Sequence, residues 1–573
     1  MIVATVVKPS FYQDSLTLLR LARELKEQPG VDEATALMAT PANRQLLSDA
    51  GLLAPEAEGA GPNDLVIAVR APREADAKEA LARAEAFFTV SRRTLESAVR
   101  VLPRTLDSAL RHLPTANVAL ISVPGTWAAQ EARQALRRGL HVMLFSDNVS
   151  IEDEVELKRE ALARRRFLMG PDCGTAILNG VGLGFANAVP RGAVGLVAAS
   201  GTGLQQVATL LASLGEGVSH AIGVGGRDGS AAVGGLMTLA GLDVLEADPS
   251  TEALVVLGKP PAPEVRRQVE MRARGIGKPC VLALLGAEPA PARDGNIITV
   301  TTLEDAAHAV AALRRGFAWT PLTFSRPRAE IEARARVLRA RLGVGRRRIL
   351  GLYSGGTLAQ EAQLILESAG HAEVVDLGAD EYTVNRPHPM LDSRLRVQRM
   401  REAAGMSDLA VLLLDVVLGH GVAADPAGDL AEAIGTVACA AAVVASVVGT
   451  PADPQGYTAQ VERLEAAGAW VLPSNAQAAR AAALIAGEAL RDATPVATAG
   501  NAPEPSGTPA RAAPDPGGMP EVPGGEVRVV NVGLQAFALD LAARGVAVVH
   551  VAWRPPAGGD ARLADLLARL ADR

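Results

Sequence analysis

An alternation that runs through most of the chain constrains its fold more than any single motif does. Short apolar runs of strand character, such as 2–7, 34–38, 65–69, 118–123, 141–145, 194–198 and 349–353, are each followed by stretches at helical spacing. These runs are mostly continuous in Val, Ile, Leu and Ala. Strands of that kind are covered on both faces, which requires parallel sheets with crossover helices. The expected class is α/β, with several Rossmann-like or flavodoxin-like parallel-sheet domains in series. At 573 residues the chain exceeds one core, and roughly 150 residues per domain predicts three or four.

The pattern divides into an N-terminal α/β region, 1–113, whose second part is a long helical stretch over 74–113, and then three further units, 114–191, 192–325 and 346–492. Between 493 and 526 the chain becomes a linker. Residues 495–525 hold eight Pro and six Gly with almost no large apolar side chain, too little to offset the entropy of ordering. A small βαβα tail, 527–573, closes the sequence. It is too short to bury a core of its own and must dock. Its long tether points to a partner chain or a second copy, with Val549, Val551 and Trp553 as the anchor.

Composition excludes several classes of function. The net charge is -6 and the basic residues are dispersed, so no nucleic-acid partner is expected. Arg164, Arg165 and Arg166 read as a solvated helix end. Cys173, Cys280 and Cys439 form no CxxC pair and imply a reducing, cytoplasmic compartment. Cys173 reads as a packing residue. Residues 1–7 enter a strand without the charged segment of a signal peptide. The most apolar stretch, 437–448, is shorter than the about 20 residues that cross a bilayer, so no membrane partner is expected. No spacing diagnostic of a metal site occurs, although magnesium on a phosphate ligand is chemically reasonable.

One local feature occurs twice. Strand 194–198 runs into Ser200, Gly201, Thr202 and Gly203 and then a helix; strand 349–353 runs into Ser354, Gly355, Gly356 and Thr357 and then a helix. A helix N-terminus has unpaired N–H groups and about half a positive charge. Glycines let the backbone approach an anion, and Ser or Thr hydroxyls add donors, so each turn is a candidate phosphate cradle. The competing reading is a plain N-cap, which every βα unit needs. Neither turn has the spacing of a Walker loop or of a dinucleotide fingerprint.

The sequence around these turns resembles a known superfamily. The run from Val194 to Thr202, the glycines at Gly223, Gly225 and Gly226, and Asp248, Pro249, Thr251 and Glu252 are similar to the ligase domain of the succinyl-CoA synthetase α-subunit. Gly170, Pro171, Asp172 and Cys173 resemble the turn that closes its CoA-binding domain, and the fourth unit is similar to the C-terminal domain of the β-subunit. A closer match comes from four segments: Arg386 to Met390, Leu414 to Gly419, Asn531 to Leu534, and His550 to Gly559. Together they look like the FdrA branch of this superfamily. The resemblance implies a succinyl-CoA-synthetase-like fold with a CoA-binding-like domain at 114–191 and ligase-type domains at 192–325 and 346–492. It also implies a subunit of an oxamate carbamoyltransferase in allantoin breakdown, with partner subunits or a homo-oligomer and a small-molecule substrate.

The chain departs from the synthetases where their phosphorylated histidine would lie: residues 281–288 contain no histidine. It also lacks the N-terminal glycine-rich turn, which leaves CoA as an open question and no cofactor established. Carbamoyl phosphate or inorganic phosphate is the ligand expected at the two turns, where helix N-termini can stabilise charge without a nucleophile. His388, between two prolines, is a candidate for proton handling or substrate binding, and Arg386 suits a planar carboxylate. Asp415 follows the apolar run 411–414, at the strand end where α/β sheets place ligands; Asp425 competes as a simple helix cap. Three functions remain open: a carbamoyltransferase subunit, an acyl-CoA synthetase, and a non-catalytic scaffold that senses phosphate. The missing histidine makes one prediction on its own. Incubation with labelled ATP leaves no acid-labile, base-stable phosphate on this chain, and such a label would overturn the reading.

Overall fold

The structure is a computed structural model that describes residues 1–99, 102–286, 292–343, 345–383, 388–490, 497–498, 525–559 and 563. Most of the linker 493–526 and the candidate residue Arg386 lie outside the described residues. The chain forms two compact units: Met1–Leu140 with Asn385–Pro387 and Arg528–Arg573, and His141–Val384 with His388–Val527.

Against the parallel pairing expected of the runs 2–7, 34–38 and 65–69, the first unit begins with three antiparallel strands in the order Ile2–Lys8, Leu65–Ala71, Glu33–Met38. Successive residues of a strand face opposite sides, and here both sides are apolar. Leu65, Ile67 and Val69 pack against the helices Ser15–Lys26 and Glu74–Val99, whereas Val66 and Ala68 pack with Leu47, Leu52 and Ala57. The long helical stretch expected over 74–113 is therefore two helices, Glu74–Val99 and Leu106–His112.

The rest of this unit holds three parallel strands in the order Ala547–Val551, Arg528–Val532, Val118–Ile121. The tail is thus not held for another chain, as its tether suggested; it docks on its own N-terminal part. The physical reason is an open strand edge. Val118–Ile121 is fully buried and its backbone needs a neighbour, which Arg528–Val532 supplies. Helix Gln535–Ala543 packs Ala538 on Leu95. Trp553 sets its ring edge-on to Tyr12, with centroids 5.2 Å apart, and donates its indole N–H to Glu131 Oε1 at 2.9 Å.

The second unit contains two parallel sheets of one design. In the first, five strands run in the spatial order Val218–Gly223, Arg191–Ala198, Ala253–Gly258, Cys280–Leu284, Ile297–Thr299. The antiparallel strands Thr175–Leu178 and Val181–Gly184 extend it beyond Val218–Gly223. In the second sheet the order is Ala372–Asp376, Arg348–Tyr353, Leu409–Val417, Ala442–Val448, Ala469–Leu472. Numbered along the chain, each reads 2-1-3-4-5, the flavodoxin-like order. Leu409–Val417 and Ala442–Val448 are buried throughout, as strands covered on both faces must be. In such a sheet the connections leave in opposite directions on either side of strand one, which opens a crevice between strands one and three at their C-terminal ends. Both glycine-rich turns follow strand one.

Because the tail supplies two of three parallel strands, deleting residues 526–573 should expose the 1–140 region to limited proteolysis while 141–490 stays resistant. Trp553→Ala should cost about 3–5 kcal/mol in that unit's chemical denaturation. A truncated chain with unchanged protection of 1–140 would refute the docking.

Candidate functional site

The two turns meet. Ser200 caps the helix Gly201–Ser213 by accepting the Gly203 N–H at 2.9 Å, and its hydroxyl donates to Thr357 Oγ1 at 2.6 Å. Gly355 lies against Thr202 so closely that a methyl group on it would fall 2.9 Å from Thr202 Oγ1. Only glycine permits this approach. Among the described residues, the N–H groups of Gly201, Thr202, Gly356 and Thr357 have no hydrogen-bond partner. Four unpaired donors from two helix N-termini therefore surround one hydroxyl bridge.

Asp415 fixes the second turn from behind. Its Oδ1 accepts the Ser354 N–H at 2.8 Å, and its Oδ2 accepts the Ser354 hydroxyl at 3.0 Å and the Gly355 N–H at 2.8 Å. Arg396 donates to the same carboxylate at 2.8 Å and to the Leu352 carbonyl at 2.8 Å. Asp415 and Arg396 are both buried. This corrects the expectation that Asp415 faces substrate: strand Leu409–Val417 lies beside Arg348–Tyr353, and its carboxylate is spent on the neighbouring turn. Asp425 is the helix cap, accepting the Gly428 N–H at 3.1 Å.

In front of the turns lie groups that the sequence did not single out. Asp376 ends strand Ala372–Asp376, and its Oδ1 accepts the Gly378 N–H at 2.9 Å. Its Oδ2 touches the start of helix Gly356–Leu366, since a methyl on Gly356 would lie 2.5 Å from it. Burial pushes the Asp376 carboxyl up, with the negative charges of Asp415 and Asp380 adding to this and Lys259 opposing it. Lys259 follows strand Ala253–Gly258, and Gly258 packs on Ala199 beside the first turn. A small, mainly apolar recess there is lined by Ala199, Thr238, Leu257, Gly258, Lys259 and others. Asp172, already noted in the sequence beside Gly170 and Pro171, also carries a raised carboxyl, at about 6, from desolvation and from Asp147 and Asp380.

His388 joins this group. A methyl on Gly378 would lie 2.8 Å from His388 Nε2, 2.8 Å from the Ser354 carbonyl and 3.1 Å from Asp376 Oδ1. The Met390 N–H donates to His388 Nδ1 at 3.2 Å, so the neutral ring carries its hydrogen on Nε2. Burial lowers the His388 pKa to about 4. At neutral pH it is a hydrogen-bond donor through Nε2 rather than a proton shuttle. Cys173 is buried with its thiol pushed up to about 12, a packing residue.

Comparison with known proteins identifies both ends of the main body. Residues 1–100 match the family model described as AllF, heavy metal-associated domain, and residues 352–485 match that described as CoA-ligase. The protein described as uncharacterized protein YahF, of Escherichia coli (strain K12), is 37% identical over 506 residues, covering 82% of this chain and 95% of that protein. The α-subunit of ADP-forming succinate–CoA ligase of Aquifex aeolicus (strain VF5) is 29% identical over 184 residues, 31% of this chain and 59% of that subunit. The chain thus matches under two thirds of the latter's length. Subunit SauD of the ADP-forming sulfoacetate-CoA ligase of Bilophila wadsworthia (strain 3_1_6) is 28% identical over 31% of this chain and 61% of its own. Among solved structures, the apo dinucleotide-forming acetyl-coenzyme A synthetase 1 of Ca. Korarchaeum cryptofilum aligns over 69% of this chain and 91% of its own, at 17% identity and a TM-score of 0.29.

The name of the first model raises a heavy metal, and the residues do not fit one. Soft and borderline metals take thiolate and imidazole ligands, and residues 1–100 contain neither cysteine nor histidine. Asp14, in the first loop, gives both carboxylate oxygens to Thr17, at 2.9 and 2.7 Å.

Two measurements check the site's construction. Asp415→Ala leaves Arg396 buried without its counter-charge and should cost about 3–5 kcal/mol in chemical denaturation of the second unit. For His388 the folded pKa of about 4 lies below the ordinary 6.5, so the unfolded chain binds the proton more tightly. The sign follows: stability is full above pH 6.5 and falls as pH drops toward 4. His388→Gln should flatten that part of the melting-temperature profile, and an unchanged profile would contradict the assignment.

Proposed function

Because the chain belongs to the YahF family, within the succinyl-CoA-synthetase-like proteins, we propose that it binds phosphate at its paired turns and works as a subunit of an oxamate carbamoyltransferase. The observation that carries this reading is the juxtaposition of four unpaired N–H donors with His388 and Lys259, beside a stretch that lacks the synthetases' histidine. In the proposed reaction a phosphate oxygen attacks the ureido carbonyl of oxalurate. The carbon–nitrogen bond breaks, the proton carried by phosphate passes to the departing nitrogen, and carbamoyl phosphate and oxamate result. The turn N–H groups would hold phosphate oxygens, and His388 Nε2–H would donate to the carbonyl oxygen as it gains charge. The names of the related proteins as subunits support partner chains. Among the described residues no helix is long and apolar enough to cross a membrane.

A second reading, an acid–CoA ligase, draws on the CoA-ligase match at 352–485. It would need an acyl phosphate formed without a histidine relay. One experiment separates the two. The chain, purified with any proteins that co-purify from its native host, is assayed for oxamate and carbamoyl phosphate formed from oxalurate and phosphate. Phosphate-dependent cleavage that Thr357→Val reduces at least tenfold supports the first reading. CoA-dependent nucleotide turnover with no cleavage of oxalurate replaces it with the second.

A further inference from the structure

Asp376 and Lys259 stand at the same crevice with opposite chemistry and with capacity to spare. Asp376 Oδ1 has the Gly378 N–H, but among the described residues Oδ2 has no hydrogen-bond donor, although it abuts Gly356 at the mouth of the second turn. Lys259 forms no ion pair or hydrogen bond among the described residues, and the end of its strand lies beside the second turn, since a methyl on Gly203 would fall 3.1 Å from Leu257 and 3.2 Å from Thr357; its charge acts on Asp376. It leaves the C-terminal end of strand three of the first sheet, beside strand one and its turn. Asp376 leaves the end of strand two of the second sheet. Two different sheets thus bring a free cation and a free carboxylate oxygen to one place, with His388 Nε2 close to Asp376 around Gly378.

Inorganic phosphate needs the cation and can offer the acceptor at most the proton it still carries at neutral pH. An acyl phosphate presents only carbonyl and methyl groups to Asp376, and a carboxylate oxygen beside them has nothing to accept. An amide N–H₂ group, by contrast, donates. We propose that Asp376 and Lys259 together determine specificity: Lys259 holds the anionic oxygens of the ligand while Asp376 Oδ2 accepts its amide N–H, so the site selects a carbamoyl phosphate from an otherwise equal acyl phosphate. The inference rests on the phosphate reading of the turns given above and adds the residues that tell nitrogen from carbon.

The test uses a pair of stable probes that differ only at that atom. Phosphonoacetamide carries the amide and a methylene in place of the labile bridging oxygen; 2-oxopropylphosphonate carries methyl where the amide nitrogen stood. Binding of each, and of inorganic phosphate, is measured by calorimetry on the full chain. Wild type should bind the amide about tenfold or more tightly than the ketone, the worth of a hydrogen bond to a charged acceptor. Asp376→Leu should remove that difference while phosphate still binds. Lys259→Ala should weaken all three ligands together by about tenfold, with Lys259→Arg restoring them. Equal binding of the two probes by wild type would overturn the inference even if the Leu variant fails to fold, and a preference that survives in Asp376→Leu would overturn it too. If wild type binds neither phosphate nor either probe, the phosphate reading itself falls, a result distinct from binding without preference.

Discussion

One buried carboxylate sets the geometry on which the crevice depends. Asp415 receives two backbone N–H groups, one hydroxyl and a guanidinium. Burying a charge pair is costly, and the interior repays it only when nearly every polar atom is matched. Here the carboxylate is matched on both oxygens, and the arginine also holds the carbonyls of Leu352 and Asp415. The result is a stiff strut between strands one and three of the second sheet. It holds Ser354 and Gly355 while leaving the next two N–H groups of the helix unclaimed.

The first half of the second unit is held to the other by a comparable polar network. The Tyr353 hydroxyl donates to Asn475 Oδ1 at 3.0 Å, Asn475 donates to Glu361 at 2.8 Å, and Glu361 accepts the Leu303 N–H at 2.7 Å. Glu361 is fully buried and its carboxyl is raised by that burial. Farther along, Asn187 donates to the Leu418 carbonyl and to Asp453, each at 2.8 Å. These contacts seat the two sheets with their strand-one turns face to face, so the Ser200–Thr357 bridge is a consequence of packing on either side of it.

What could be read from the chain beforehand was local. The continuous apolar runs announce strands buried on both faces, which are parallel at 118–121, 194–198 and 349–353 but antiparallel at 2–7, 34–38 and 65–69, and the Ser-Gly turns announce helix starts because their chemistry is contained in four residues. Asp376, Lys259 and Arg396 were not legible. Each is an ordinary charged residue until the order 2-1-3-4-5 brings the ends of particular strands together. Asp415 was visible as a strand-end acid, but its direction is fixed by which strand lies next to it. His388 was marked by its prolines, whereas its neutral state comes from burial under segments far away in sequence. The tail's destination was hidden for the same reason, since the edge it fills belongs to residues 118–121.

That last pairing has a consequence for how the protein is made. Val529 lies opposite Val118, so the partner of that strand is synthesised only after residues 122–527 have been made. At about 5–20 residues per second, the strand at 118–121 waits on the order of tens of seconds for its neighbour, while residues 191–472 already hold every strand of the two 2-1-3-4-5 arrays. The second unit can therefore mature on the ribosome, and the first must keep a strand edge open in the meantime. An open edge is where chains pair with the wrong partner, so the interval between those two strands is the vulnerable stage in this protein's birth.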